Sequence, residues 1–197
     1  MSINRNSLSK YVLITGAPGS RWSWVAKSIY WSNDVDRSDY SEDRTYNGPG
    51  HQGAYWDPGM EFDPLDWDGP FSGEGVRIIK SHTFAHHLNY LKAQGHPIVM
   101  VVRNDYECMK WWLEAGGWDI TYPNYKPYYK DDATMFRRIQ DQNLDTHKFM
   151  WDNKDTVVEV FDNYHLANLL ELSHSGVNLH RYNSGDTKVY VYRPTSS

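Results

Sequence analysis

A chain of 197 residues is long enough for one domain with a substantial core, and short for two. With 20 Lys and Arg against 25 Asp and Glu, the net charge of -5 argues against nucleic acid or an anionic membrane as partner. The single cysteine, Cys108, excludes an internal disulfide and any paired-cysteine zinc or redox site, and points to a reducing compartment. No charged leader with an apolar core opens the sequence, and no apolar run approaches the roughly 18 residues of a membrane span. A soluble, cytoplasmic, single-domain protein is the expectation.

The first element is the apolar run Tyr11-Val12-Leu13-Ile14. It breaks at Thr15-Gly16-Ala17-Pro18-Gly19-Ser20 and resumes beyond Arg21 as a helical pattern, with Trp24, Val25, Ser28 and Ile29 on one face. Strand, Gly-Pro turn and helix start in succession suit a phosphate-binding loop, because a helix N-terminus offers N–H groups and a positive dipole end to an anion. The same unit also occurs in α/β proteins that bind nothing, so alone it leaves both readings open. The nucleotide-hydrolase form G-x-x-x-x-G-K-[ST] is not met, since Arg21 and Trp22 fall where its second Gly and its Lys would follow Gly16. ATP or GTP hydrolysis is therefore disfavoured.

Residues 32–75 form a long irregular insertion rich in Gly, Pro, Trp and acidic residues, the composition of a lid or binding loop. The carboxylates of Asp57, Glu61, Asp63, Asp66 and Asp68 lack the order of a calcium loop and read as a solvated lid or as a rim attracting a cationic acceptor. Val76-Arg77-Ile78-Ile79 is a second strand ending in Lys80-Ser81-His82, and Phe84, Leu88 and Leu91 continue as one helix to Gly95. Ile98-Val99-Met100-Val101-Val102 is a buried parallel strand ending at Arg103-Asn104-Asp105, with Asp105 expected to cap a helix over 106–114. An aromatic loop over 116–130 precedes a helix over about 132–151, capped by Asp131 or Asp132. A strand over 156–161, a helix through Leu166 and Leu170, and a strand over 188–192, placed at an edge, complete the chain. Strands alternating with helices predict a three-layer αβα fold on a mostly parallel, doubly wound sheet. Its ligands would lie beyond the carboxyl ends of the strands.

Three strand ends carry groups suited to anions or protons: Ser20, Arg21 and Ser23; then Lys80 and His82; then Arg103. The segment Pro18-Gly19-Ser20-Arg21-Trp22-Ser23-Trp24 resembles the P-K-S-G-T-T-W loop of sulfotransferases that use 3′-phosphoadenosine 5′-phosphosulfate (PAPS). Ile79-Lys80-Ser81-His82 is similar to that family's K-T-H segment, and Val101-Val102-Arg103-Asn104 to its V-R-N-P segment. Arg181 to Lys188 weakly resembles the R-K-G-x-x-G-D-W-K loop. Gly19 stands where the family usually has the loop Lys, and Arg21 where it has Gly. Asp105 replaces the Pro, and Trp111 replaces the Ser that helps hold the 3′-phosphate.

The resemblance implies a PAPS-dependent sulfotransferase. His82 would be the general base, and Lys80 and Arg21 would neutralise charge on the transferring group. Pro18, Gly19, Ser20, Arg21, Trp22, Ser23 and Trp24 would bind the phosphosulfate, and Arg103 and Arg181 the rest of the donor. His82 is expected near its ordinary pKa, matched to neutral pH. The acceptor would be a small molecule with a hydroxyl or amine, of saccharide or aromatic kind, and the scheme requires no metal. Two alternatives stand beside it: a degenerate sulfotransferase-like binding protein without catalysis, and a small-metabolite P-loop kinase. His86, His87 and His96 lack the spacing of a metal site.

Overall fold

The computed structural model describes residues 9–40, 67–120, 124–176 and 187–195. Strand β1 (Tyr11–Gly16) follows from an apolar run that is covered on both faces. The chain then forms α1 (Trp22–Tyr30), β2 (Arg77–Lys80), a 3₁₀ turn over His82–His86, α2 (Leu88–Ala93), β3 (Ile98–Val102) and α3 (Asp105–Glu114). After a short 3₁₀ turn at Gly117–Asp119 come α4 (Asp132–Asp152), β4 (Val157–Glu159), α5 (Asn163–Leu169) and β5 (Lys188–Tyr192).

The fold is mixed α/β, on a five-stranded sheet of order β2-β1-β3-β5-β4. β1 is parallel to β2, with Leu13 opposite Ile79, and to β3, with Leu13 opposite Ile98. β5 is antiparallel to both β3 and β4, so the other four strands share one direction and β5 opposes them. The edge position expected for residues 188–192 is corrected: β5 lies between β3 and β4. Its Val189 and Val191 are fully buried, which a strand paired on both sides within a covered sheet requires.

One face of the sheet, through Val12, Ile14, Val99, Val101 and Val191, packs on Val25 and Ile29 of α1 and Leu166 of α5. The other face, through Leu13, Ile79, Ile98 and Met100, packs on Phe84, Leu88, Leu91 and Phe149. A third cluster joins Ala17 of the first loop to Cys108, Trp112, Tyr125, Tyr129 and Ile139. The first loop is thereby seated against α3, α4 and the aromatic segment.

Local signals explain three further departures. The single helix expected after β2 is split: Ser81 accepts from the Thr83 N–H to start a 3₁₀ turn, and His87, at φ -126°, separates it from α2. Asn104, not Asp105, caps α3, its side chain accepting from the Tyr106 and Glu107 N–H groups. Asp105 is turned instead to Asn143, 2.7 Å away. Of the acidic run in the insertion, only Asp68 falls among the described residues, and it is held by Lys10, Tyr11 and Arg77 rather than left as a free rim. No described helix is long and apolar enough to cross a membrane.

Candidate anion site at the first loop

The β1–α1 turn is tight. Ser20 N–H is bonded to the Ala17 carbonyl at 3.0 Å, and Gly19 and Arg21 both take positive φ, 79° and 72°. A Cβ on Gly16 would meet Ser20 Oγ at 2.5 Å and the Val101 carbonyl at 3.0 Å, so the loop folds directly over the end of β3. Ser20 is fully buried, and its Oγ has no hydrogen-bond partner among the described residues. A buried orphan hydroxyl inside a loop of this kind calls for a bound group or water.

The groups at the ends of β2 and β3 reach this loop. Lys80, 2% exposed, lies 3.5 Å from Ser23 Oγ, with its ammonium 4.3 Å from the centre of the Trp22 ring. His82 packs on the same indole with ring centres 4.0 Å apart. Arg103 donates to the Gly19 carbonyl at 3.3 Å, and Asn143 of α4 braces it from behind by donating to the Arg103 carbonyl at 2.9 Å. The guanidinium groups of Arg21 and Arg103 lie 4.8 and 5.5 Å from the centre of the Trp111 ring. Trp111 thus gathers the two arginines by cation–π attraction.

His82 is 1% exposed and bonded at both ring nitrogens. Its Nδ1 lies 2.5 Å from the Gly16 carbonyl, which only accepts, so Nδ1 carries the proton; Nε2 then accepts from the Tyr125 hydroxyl at 2.9 Å. Burial pushes the imidazole pKa down from 6.5 to about 3, against the Gly16 bond and with help from the Lys80 charge. The expectation of an imidazole near its ordinary pKa is therefore corrected: in this state His82 is neutral and weakly basic, because water is excluded from it.

The sequence-predicted residues thus divide. Gly19, Arg21, Trp22, Ser23, Lys80, His82 and Arg103 form one contiguous cluster; Trp24 borders it, 6.0 Å from the Arg21 guanidinium. Pro18 and Ser20 complete the turn. Arg181 lies outside the described residues. Sequence reasoning missed Tyr125 as the partner of His82 and Asn143 as the brace of Arg103. Tyr125 is one aromatic among many in its segment, and Asn143 sits on a helix 40 residues from Arg103, so no local pattern marks either.

A cavity of about 30 Å³ beside this cluster is lined by Gly19, Arg21, Ser23, Trp111, Trp112 and Tyr125 and by no carboxylate; Lys80, His82 and Arg103 are not in its lining. That is room for water, not for a nucleotide. Arg21, Ser23 and Tyr125 supply its hydrogen-bond donors, which suit an anion in charge, and a cavity of this size holds no adenosine. Elsewhere, His86 is bonded to Asp145 and His96 to Ser9, and no group of three or more His, Cys, Asp or Glu is placed to hold a metal among the described residues. Comparison of the chain with models of known protein families, with curated proteins and with solved structures gave no match.

Proposed function

We propose that the chain is a sulfuryl-transfer protein of the PAPS-dependent kind, on a three-layer αβα fold with a modified phosphate-binding loop. The observation that supports it is the meeting of three strand ends: Ser20 and Ser23 after β1, Lys80 and His82 after β2, and Arg103 after β3. In this reading PAPS is a substrate that brings an activated sulfuryl group to an acceptor hydroxyl or amine. Loop residues 18–24 bind its phosphosulfate, and Arg103 binds its 3′-phosphate. Lys80 and Arg21 offset the charge of the transferring oxygens, the term on which such reactions depend most.

His82 is the base in this scheme. Its Nδ1–H bond to Gly16 fixes the tautomer in which Nε2 accepts a proton. An anion in the loop would raise the low basicity of the buried ring, since opposite charge within a few ångströms favours imidazolium.

Trp111, Gly19 and the small cavity support a second reading, in which the fold binds an anion and has lost catalysis. Thermal unfolding with adenosine 3′,5′-bisphosphate, with ATP and Mg²⁺, and with PAPS plus candidate acceptors separates the readings, because a ligand of the native state raises its stability. Stabilisation by the bisphosphate, with turnover that His82→Ala abolishes, is the expected result. Stabilisation without turnover favours the binding protein. Stabilisation by ATP and Mg²⁺ alone overturns both in favour of a kinase.

A further inference from the structure

Helix α3 has two sides of different character. Cys108 and Trp112 turn into the core, while Tyr106, Met109 and Leu113, spaced by three and four residues, line the side away from it. Beside that ridge runs a groove of about 660 Å³, closed on its far side by Asp132, Ala133 and Phe136 of α4 and apolar over nearly all of its lining. Tyr106 is 73% exposed and Leu113 46%, and the Tyr106 ring leans on that of Phe136 with centres 5.0 Å apart. A continuous apolar ridge and groove open to solvent mark a surface made for contact with another molecule.

Ridge and groove belong to one patch, which is what a two-fold contact between identical chains needs, because the same surface must serve as knob and as hole. The charges at the rim are of both signs: Lys110 stands one helical turn before Glu114 on α3, and Asp132 borders the groove from α4. A partner of one charge sign would be repelled by one side of this rim, whereas a second copy laid antiparallel matches it. With the two-fold axis crossing α3 at residues 111 and 112, Lys110 of each copy faces Glu114 of the other, and Met109 faces Leu113. Each central attraction is then made twice. We propose that this face of α3 and its groove form a homodimer interface, in which the Tyr106 and Leu113 ridge of each copy enters the groove of the other. The proposal holds whatever chemistry the first loop performs.

Sedimentation equilibrium of the full chain over about 1 to 100 µM reads the association directly, and a reversible dimer within that range is expected. Leu113→Asp should weaken it about a hundredfold, by placing a charge on the ridge that enters the groove. Lys110→Glu should weaken it about tenfold, and Lys110→Glu combined with Glu114→Lys should restore the parent value, because antiparallel pairing regains both ion pairs when the charges are exchanged. Positions 110, 113 and 114 are all exposed, so these variants keep the fold, which circular dichroism verifies. A chain that stays monomeric throughout the range overturns the proposal. A dimer indifferent to Leu113→Asp or to Lys110→Glu lies on another face and overturns it too, as does a double variant that associates no better than Lys110→Glu alone.

Discussion

Gly19 lies so close to Cys108 that a Cβ built on it would stand 1.8 Å from the Cys108 carbonyl oxygen. The backbone of the β1–α1 loop therefore rests directly on α3. A lysine at this place is excluded by packing, since no side chain can leave position 19 without parting the loop from the helix.

Gly19→Ala should accordingly destabilise the fold by about 3 kcal/mol, combining a positive φ with overpacking against backbone. Gly19→Lys should do no better, and should weaken rather than strengthen anion binding. Urea unfolding reads the first, and a Gly19→Ala chain as stable as the parent would show that the loop does not rest on α3.

Position 21 is where the positive charge returns, at a φ of 72° that costs a non-glycine residue about 1 kcal/mol. Strain of this kind persists where function holds it. Arg21→Gly should leave stability nearly unchanged, because relief of the backbone offsets the lost contact with Trp111. The same variant should bind adenosine 3′,5′-bisphosphate more weakly, read as a smaller thermal shift. Unaltered binding would remove Arg21 from the anion site.

What could be read from the sequence was what local chemistry dictates. β1, β3 and the loop between β1 and α1 announce themselves by continuous apolar runs broken at Gly and Pro, and Asp131, one of two caps expected for α4, accepts from the Thr134 N–H three residues on. What escaped depends on partners far along the chain. β5 has the alternation of an edge strand, yet its place between β3 and β4 is fixed by pairing with residues about 90 and 30 positions earlier. The bond from Tyr125 to His82 spans 43 residues, and with it the burial that drives the imidazole pKa down.

Asp68 ties residues 67–71 to β1 and β2 through Lys10, Tyr11 and Arg77, and these bonds hold its carboxyl at about 2, below the ordinary 3.8. The depressed value means that the stabilisation is present above pH 3.8 and is lost as pH falls toward 2. The side chain is 52% exposed, so solvent screening limits the effect to about 1 kcal/mol. Asp68→Asn should be less stable than the parent at neutral pH and equal to it near pH 2. Denaturant unfolding at the two pH values checks this, and a difference that persists in acid would mean that the carboxylate charge is not what holds the segment.

His82 sets the opposite end of the acid response. Its imidazole titrates near 6.5 when exposed and near 3 in the fold, so between those values the unfolded chain binds a proton that the folded one refuses. Stability from this group is complete above pH 6.5 and drains away as pH falls toward 3, with a slope of at most about 1.4 kcal/mol per pH unit. His82→Asn removes the titration while keeping an amide donor for the Gly16 carbonyl. The stability difference between parent and variant, followed by urea unfolding, should therefore be flat above neutrality and shrink steadily in acid. A difference that stays constant down to pH 4 would show that the ring takes up its proton in the folded state, and that the bond to Tyr125 opens readily to water.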